Sequence, residues 1–376
     1  MMGPTPWNTA FYNAMRGQEP NSIGMRLGLA PLRFASLLYG IAARNHPQIY
    51  ARGWWPRQHL PCRVVSIGNL TVGGTGKTPL TLWVARWYHQ RGWRVAVLSR
   101  GYGSQATAQP RVASSGSGPL RPWSEVGDEP YFLASELADI PVVVGANRTL
   151  SGRYAVEHFG AQVVVLDDGF QHHRLARDLD LVLIDATNPF GHGTLLPRGI
   201  LREPLRALQR ADAVILTRVE QAATAVSTVS ARVRRWHGER PVYTMQTTVH
   251  GLRERLSRQM VAVEQLQGQR VVVFAGLGNP EAVAATVTQL GAEVAALLVF
   301  PDHYAYRESD WRRLQRVAVQ YAATCLVTTT KDAVRLDISW TGARPVYAIC
   351  IDVVLNEAHP GLDHQLEAVM RDADTR

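Results

Sequence analysis

Short apolar runs rich in β-branched residues recur along the first part of the chain and alternate with stretches of helical periodicity. Such runs predict buried strands, each followed by a helix. The predicted strands of this first series lie at 63–67, 93–98, 142–144, 163–166, 181–185 and 213–217. Strands that alternate with helices form a doubly wound, mostly parallel sheet, so the pattern predicts an α/β fold. Polar clusters follow several of these runs, at the strand ends where such sheets bind ligands.

A second, shorter series of strands begins near residue 271, after an isolated extended run at 242–249. Its predicted strands lie at 271–274, 294–299, 326–329 and 345–351. We therefore expect a second, smaller α/β domain. The predicted organisation is an N-terminal arm at 1–22, a helix at 23–45, the larger domain at 46–240, an extended linker at 241–258 and the smaller domain at 259–376.

The helix predicted at 23–45 is mostly apolar but contains Arg26, Arg33 and Arg44. At about 100° per residue, the three arginines lie within about 20° of one another on a helical wheel. A basic stripe opposite a broad apolar face is typical of a helix that lies in a membrane interface. The alternative is a helix packed on the protein, with its arginines extending into solvent. The apolar run is too interrupted to predict a membrane span.

Composition narrows the class of protein. The chain has 376 residues, of which 46% are hydrophobic and 19% charged, and these values are typical of a folded globular protein. A formal net charge of +9 favours an acidic partner, which is nucleic acid, an anionic lipid or a phosphorylated substrate. Cys62, Cys325 and Cys350 have no metal-binding or disulfide spacing, which fits a reducing compartment such as the cytoplasm. Residues 104–122 are rich in Gly, Ser, Ala and Pro and predict a surface loop.

The most informative motif, VGGTGKT, lies between the first strand and the helix after it. Backbone N–H groups of such a loop hold phosphate at a helix N-terminus, while the lysine reaches the β- and γ-phosphates and the last threonine binds Mg²⁺. Thr71 stands where the usual spacing has a glycine, so the loop resembles a variant with paired glycines found in some ATPases. We expect a P-loop NTPase-like sheet that binds a nucleoside triphosphate. The predicted nucleotide contacts are Val72, Gly73, Gly74, Thr75, Gly76, Lys77 and Thr78.

Two adjacent carboxylates, Asp167 and Asp168, follow the buried strand at 163–166. A carboxylate in this position of a P-loop protein supports Mg²⁺. Thr78, Asp167 and Asp168 are therefore the predicted magnesium ligands. The alternative for the two carboxylates is a solvated strand end.

Two residues are candidates for proton transfer. A phosphoryl acceptor hydroxyl loses its proton as the new bond forms, and Asp128 is a candidate base. Its alternative role is to cap the helix that begins beside Pro130. His303 is either catalytic or structural, and its spacing does not distinguish the two.

Some loop residues have the chemistry to bind phosphate. Arg148, Arg198 and Arg202 follow predicted strands or helices, and a guanidinium can bind a phosphate through two parallel hydrogen bonds. The alternative for each arginine is a solvated surface side chain. The segment 328–332 ends a strand and begins a helix, so it either binds an anion or caps that helix.

Several of these motifs occur together in one known family. The chain resembles tetraacyldisaccharide 4′-kinase, the lipid A 4′-kinase of Gram-negative bacteria. The run Asp-Asp-Gly-Phe-Gln-His at 167–172 is far more specific to that family than a phosphate loop alone. The resemblance rests on segments that appear in order at 68–79, 98–103, 126–130, 166–172, 201–204, 300–303 and 330–336.

The resemblance implies an activity and a location. The family transfers the γ-phosphate of ATP to the 4′-hydroxyl of a tetraacyldisaccharide 1-phosphate in lipid A biosynthesis, and Mg²⁺ is the expected cofactor. It works at the cytoplasmic face of the bacterial inner membrane, so residues 23–45 are expected at the membrane surface. A larger P-loop domain joined by extended strands to a smaller α/β domain is the implied fold. Neither nucleic acid nor an obligate protein partner is expected.

Residue roles also follow from the resemblance. Asp128 is expected to be the base and His303 its partner, contributed by the second domain. Because the two residues are assigned to different domains, we expect domain closure to complete the site. The other residues expected in the catalytic site are Asp168, Gln171, Arg148, Arg202 and Glu203.

A rival interpretation belongs to another class of protein. The loop with paired glycines also favours an ATPase that switches conformation at a membrane and phosphorylates nothing. Those ATPases usually carry a lysine early in the loop, near the position that Val72 occupies here. The net charge alone suggests a nucleic-acid-binding ATPase, but no interleaved basic and aromatic patch supports it.

Overall fold

The structure is a computed structural model that describes residues 30–101, 109–191, 193–222, 224–276, 279–356 and 361–371. The arm predicted at 1–22 and the first part of the predicted helix, 23–29, lie outside the described residues. Contacts divide the chain into two compact units. Unit 1 comprises Met1–Leu98, Asn147–Gln246 and Leu355–Arg376, and unit 2 comprises Ser99–Ala146 and Thr247–Val354.

The elements are numbered in chain order. The strands are β1 Arg63–Asn69, β2 Val95–Ser99, β3 Arg111–Ser114, β4 Val142–Val144, β5 Val163–Asp167, β6 Leu179–Asp185, β7 Ala213–Thr217, β8 Val242–Glu254, β9 Met260–Val261, β10 Arg270–Ala275, β11 Glu293–Val299, β12 Cys325–Thr329 and β13 Val346–Asn356. The α-helices are α1 Ala30–Ala51, α2 Lys77–Gln90, α3 Trp123–Val126, α4 Asp128–Glu136, α5 Arg148–Phe159, α6 Val226–His237, α7 Pro280–Gln289, α8 Glu308–Gln320, α9 Thr330–Ala333 and α10 Leu362–Arg371. Short 3-10 helices span Leu205–Arg210, Val219–Gln221 and Val263–Leu266.

Unit 1 is built on a parallel sheet with the strand order β8, β7, β6, β1, β5, β2. Every residue of β5, β6 and β7 is buried, which explains why these strands appear in the sequence as unbroken apolar runs. The predicted α/β fold with a mostly parallel sheet is confirmed. Ile67 of β1 pairs with Asp167 of β5, so the loops that follow these two strands leave the sheet at the same edge.

Unit 2 has a parallel arrangement in the order β11, β10, β12, β13, together with the antiparallel pairs β3–β4 and β8–β9. Alternate residues of β10 enter different cores. Phe274 packs with Trp311 and Leu314 in one core, and Val273 packs with Leu266 in another. The surface loop predicted at 104–122 is wrong in part, because β3 forms within it and pairs with β4.

The two units divide the chain at other positions than the predicted domain boundaries. Residues 99–146, assigned from sequence to the larger domain, group with unit 2. The C-terminal helix α10, assigned to the smaller domain, groups with unit 1, where the hydroxyl of Tyr88 donates to the carbonyl of Leu366 at 2.9 Å. The predicted linker at 241–258 is largely the strand β8, whose first residues belong to unit 1 and the rest to unit 2.

The helix α1 is longer than predicted at its C-terminal end, and Pro31 lies in its first turn. Tyr39 and Ser36 attach one face of α1 to unit 1, through hydrogen bonds to the carbonyls of Arg202 (2.8 Å) and Leu195 (2.9 Å). The other face exposes large apolar side chains. These are Phe34, Leu37, Leu38 and Ile41, with exposed fractions of 64%, 59%, 53% and 50%.

The arginines of α1 lie beside this exposed apolar face and not opposite to it. Arg33 and Arg44 are themselves exposed, whereas Gly40 on the attached face is buried. The prediction of a basic stripe opposite the apolar face is therefore wrong for the described part of the helix. None of the helices within the described residues has the length and apolar character needed to cross a bilayer.

Candidate active site

The phosphate loop connects β1 to α2 in unit 1. Gly73 and Gly76 have positive φ angles of 109° and 85°, which glycine adopts without steric cost. The side chain of Asn69, at the end of β1, donates from Nδ2 to Oγ1 of Thr75 at 2.8 Å. Lys77 and Thr78 begin α2 and are 9% and 3% exposed. The loop and the helix N-terminus therefore have the arrangement that binds phosphate.

Two cationic side chains contact the carboxylate of Asp168. Nζ of Lys77 lies 3.6 Å from Oδ1 of Asp168, and Nη1 of Arg202 lies 2.8 and 3.0 Å from its two carboxylate oxygens. Asp168 has a left-handed backbone, with φ of 56°. This region is uncommon for a non-glycine residue, and residues that adopt it are enriched at functional sites.

A polar network extends this site away from the loop. Gln171 donates from Nε2 to the carbonyl of Asn69 at 2.9 Å and to Oε1 of Glu203 at 3.2 Å. Glu203 is 4% exposed and pairs with Arg210 through contacts of 2.9 and 3.2 Å. Because Oε1 of Gln171 also accepts from Arg202 at 3.4 Å, this network joins Asp168 to Glu203. Four residues expected in the catalytic site thus lie together in unit 1.

The residues predicted to bind Mg²⁺ fit that ion to different degrees. Oγ1 of Thr81 donates to Oδ1 of Asp167 at 3.2 Å, and Thr78 lies three residues earlier on the same face of α2. Asp167 is 1% exposed, and its carboxylate points toward the side of α2 that carries the hydroxyls of Thr78 and Thr81. Asp168 instead contacts Lys77 and Arg202, which compensate its charge.

Within the described residues there is no group of three or more His, Cys, Asp or Glu side chains arranged to hold a metal. Magnesium in phosphoryl-transfer sites uses only one or two carboxylates, because phosphate oxygens and water supply the other ligands. Thr78 and Asp167 therefore fit a magnesium ion carried by a nucleotide.

Arg148 is the first residue of α5 and is 3% exposed. The preceding Asn147 caps the helix, since its side chain accepts hydrogen bonds from the N–H groups of Thr149 and Leu150. Arg148 is thus a buried cation at a helix N-terminus in unit 1, and the alternative of a solvated surface arginine is wrong.

Asp128 and His303 lie in contact within unit 2. Nδ1 of His303 is 2.7 Å from Oδ2 of Asp128, and Oδ1 of Asp128 accepts from the N–H of Glu129 at 2.9 Å. The Asp128 side chain is 9% exposed and that of His303 is 41% exposed. The sequence pattern assigns the two residues to different predicted domains, whereas contacts group both with unit 2. The chain assembles this pair within one unit because residues 99–146 pack there.

The contact changes the pKa values of both partners. Burial raises the pKa of the Asp128 carboxyl, but the hydrogen bond and charge of His303, together with the charges of Arg335 and Lys331, outweigh it and leave the pKa below its ordinary value. The hydrogen bond to Asp128 raises the pKa of His303 above its ordinary value, against the effect of burial. The pair therefore favours a carboxylate beside an imidazolium.

A buried ion pair supports Asp128 and His303. Arg335 donates to Oδ1 of Asp332 at 2.8 Å and to the carbonyl of Tyr304 at 3.2 Å, and its Nε lies 4.0 Å from Oδ2 of Asp128. Asp332 also accepts from the N–H of Gly276 at 2.9 Å and from the Tyr306 hydroxyl at 2.8 Å. Arg335 therefore holds the backbone next to His303.

The N-terminus of α9 is capped by a side chain. Oγ1 of Thr329 accepts from the N–H of Asp332 at 3.2 Å. The capping alternative for the segment 328–332 is therefore confirmed.

Several residues of these networks were not predicted from the sequence. Thr217 and Arg218 contact the phosphate loop from the end of β7, and Arg335 supports Asp128. The position of Thr217 and Arg218 at the end of a buried strand was an available signal, because ligands bind at that edge of a parallel sheet. For Arg335 no signal beyond its place in the segment 330–336 distinguished it from other arginines.

The chain is similar to one protein family along nearly its whole length. The family model described as tetraacyldisaccharide-1-P 4′-kinase matches residues 28–371. The chain belongs to this family. The resemblance inferred from the sequence motifs is confirmed.

Individual members of the tetraacyldisaccharide-1-P 4′-kinase family agree with this assignment. The tetraacyldisaccharide 4′-kinase of Anaeromyxobacter dehalogenans strain 2CP-C is 45% identical over 321 residues, which cover 85% of this chain and 84% of that protein. That of Syntrophus aciditrophicus is 38% identical over 350 residues, which cover 91% and 93%. The crystal structure of LpxK from Aquifex aeolicus in complex with ATP has a TM-score of 0.72 and 30% identity, covering 93% of this chain and 99% of that chain.

Proposed function

We propose that this chain is a kinase that transfers the γ-phosphate of ATP to the 4′-hydroxyl of a tetraacyldisaccharide 1-phosphate in lipid A biosynthesis. The family assignment, which spans residues 28–371, is the observation that carries this proposal. The related protein from Aquifex aeolicus binds ATP, and this chain has the loop geometry that nucleotide binding needs. The rival interpretation of a switch ATPase has no comparable support.

In this proposal the residues of unit 1 bind and orient ATP. Backbone N–H groups at 72–78 hold the phosphates, and Lys77 leaves Asp168 to contact the transferring phosphoryl group. Arg202 then remains on Asp168 and keeps its carboxylate in place. Thr78 and Asp167 would hold Mg²⁺, which neutralises charge on the phosphate oxygens.

The proton of the acceptor hydroxyl is assigned to the Asp128–His303 pair. Asp128 is the proposed base, and His303 orients the carboxylate and shares its proton. Oδ1 of Asp128 is fixed by the N–H of Glu129 and Oδ2 by His303, so the carboxylate is held before substrate arrives. Preorganisation of this kind lowers the barrier because no rearrangement is needed during the reaction.

We also propose that α1 rests on the cytoplasmic face of the bacterial inner membrane. Its face with Phe34, Leu37, Leu38 and Ile41 is exposed and apolar, and Arg33 and Arg44 beside it suit anionic headgroups. The hydrogen bond from Tyr39 to the carbonyl of Arg202 connects this helix to the catalytic network. A lipid substrate would then be taken from the membrane surface.

Phosphate transfer tests the proposed reaction directly. Purified protein would be incubated with Mg²⁺, γ-labelled ATP and tetraacyldisaccharide 1-phosphate in detergent micelles. Label should appear on the lipid, and Lys77→Ala should abolish it. Arg312→Ala, which removes a 72% exposed arginine from α8, is the control and should leave transfer unchanged. Hydrolysis of ATP with no label on the lipid would support the switch ATPase instead.

Vesicle binding tests the role of α1. Leu38→Asp combined with Ile41→Asp should abolish cosedimentation with vesicles of anionic phospholipid, because two charges would enter the apolar face. Ile338→Asp is the matched control, since Ile338 is 58% exposed but belongs to unit 2. Equal vesicle binding by the double variant and the wild type would exclude α1 as the membrane-binding surface.

A further inference from the structure

Two side chains at the end of β7 hold carbonyl groups of the phosphate loop. Oγ1 of Thr217 donates to the carbonyl of Thr75 at 3.0 Å, and Nη2 of Arg218 donates to the carbonyl of Gly74 at 2.7 Å. The C=O and N–H groups of a trans peptide point in opposite directions. Fixing these two carbonyls toward β7 therefore turns the N–H groups of Thr75 and Gly76 away from it, as a phosphate cradle requires.

Arg218 is itself held by a carboxylate from the neighbouring strand. Its Nη1 contacts Oδ2 of Asp185, the last residue of β6. The other oxygen of Asp185 accepts from the N–H and the hydroxyl of Thr187 at 2.9 and 2.6 Å. The strand ends are also joined directly, because the N–H of Ala186 donates to the carbonyl of Thr217 at 2.9 Å. Arg218 thus has its guanidinium fixed between β6 and the loop.

The backbone of Arg218 is strained. Its φ of 55° lies in the left-handed region, which is unfavourable for any residue with a Cβ. Folding alone does not favour an arginine at this position, since glycine adopts the same conformation freely. Residues in this conformation are enriched at functional sites, so the strain prompts a functional hypothesis, and the contacts of the guanidinium provide its evidence.

We infer that Arg218, held by Asp185, is a positioning residue that sets the conformation of the phosphate loop and thereby the affinity for the nucleotide polyphosphate. Both terminal nitrogens of its guanidinium bond to protein groups, so Arg218 acts through the loop. Thr217 supports the same conformation at the next peptide. This inference rests on the proposed binding of ATP.

The variant Arg218→Gly separates this role from a contribution to folding. It removes the side chain and leaves Asp185 without its cation, but it also relieves the backbone strain, so the melting temperature should change little. The affinity for ATP and ADP, measured by titration calorimetry with Mg²⁺, should fall tenfold or more. KM for ATP should rise by a similar factor, whereas KM for the lipid acceptor should not change.

Arg258→Gly is the matched control. Arg258 is an exposed arginine with φ of 57°. The variant therefore makes the same chemical change in the same backbone conformation, but in unit 2 and not in unit 1. Its nucleotide affinity should equal that of the wild type. Asp185→Asn should weaken ATP and ADP binding in the same direction as Arg218→Gly, because Arg218 then loses its counter-charge.

Two results would overturn the inference. One is an Arg218→Gly protein that binds ATP and ADP with wild-type affinity. The other is a rise in both KM values together, which would indicate general damage to the site. A wild-type protein that binds no ATP would instead refute the proposed function.

Discussion

His303 contacts Asp128 through Nδ1 and Oδ2 at 2.7 Å, and it reaches this position with a left-handed backbone at φ of 57°. Asp128→Asn should lower kcat about 10²- to 10⁴-fold, the usual contribution of a positioned acid or base. KM for ATP should change little, because the phosphate loop lies on other elements of the chain. Steady-state kinetics with varied ATP would measure both constants. Asp352→Asn, which changes an exposed aspartate of β13 in unit 2, is the control, and an unchanged kcat in Asp128→Asn would remove Asp128 from the mechanism.

The same contact predicts a raised pKa for His303. The hydrogen bond and charge of Asp128 stabilise the imidazolium, so His303 should titrate above the ordinary histidine value of about 6.5. In Asp128→Asn the titration should move to lower pH, since burial then acts without the carboxylate. NMR of the labelled imidazole ring during a pH titration would follow it. A wild-type His303 that titrates at or below 6.5 would contradict the contact.

Gly68 in β1 lies directly against Phe170, which is completely buried. A Cβ at position 68 would be 2.5 Å from Cβ and 2.7 Å from the backbone nitrogen of Phe170. Gly68→Ala should therefore lower the free energy of unfolding by about 1–3 kcal/mol, as other overpacked cores do. Urea unfolding would measure the loss.

Gly251→Ala in β8 is the control for this prediction. Its added Cβ would be 2.7 Å from Cε of Met260, the end of a flexible and exposed side chain that can move away. The cost should be smaller than that of Gly68→Ala. Equal losses of stability in the two variants would show that the contact with Phe170 is not the cause.

The low pKa of His173 leads us to expect a specific loss of stability in acid. Burial, and the nearby charges of Arg210 and Arg177, lower the pKa of His173 to about 2 in the folded protein. Glu203 lies 3.8 Å from Nε2 but is already paired with Arg210. The unfolded chain binds this proton near pH 6.5 and the folded chain does not, so stability present above that pH is lost as the pH falls.

The size of this effect is set by one proton. Below pH 6.5 it contributes a slope of about 1.4 kcal/mol per pH unit to the free energy of unfolding. His173→Phe should remove that part of the slope between pH 6.5 and 5. Urea unfolding of both proteins at several pH values in this range would measure it, and identical slopes would refute a neutral buried His173.

The sequence predicted the parallel strands well because their burial on both faces requires continuous apolar residues, as in β5, β6 and β7. The strand β3 was not predicted, since its surroundings are rich in Gly, Ser and Pro and the strand has only four residues. Its pairing with β4 joins residues far apart in the chain, and local pattern contains no information on such contacts.

The same limit applies to the candidate site: residues in local motifs were predicted, and contacts between distant segments were not. Lys77, Thr78 and Asp167 carry local motifs and were found from them. Arg218 lies 144 residues from Gly74, and only the fold brings its guanidinium to that carbonyl. The pairing of Asp128 with His303 was expected from family resemblance, but its formation within one compact unit was not, because residues 99–146 interrupt the segments of unit 1.

The C-terminal helix α10 has a consequence for the order in which the protein folds during synthesis. Its Leu366 accepts a hydrogen bond from Tyr88, 278 residues earlier, and the last segment of unit 1 is Leu355–Arg376. Both segments of unit 2 end before that point. A ribosome therefore releases every residue of unit 2 while unit 1, which contains the phosphate loop, still lacks its final helix. Nucleotide-binding competence should therefore be acquired only after α10 has been synthesised and has packed against Tyr88.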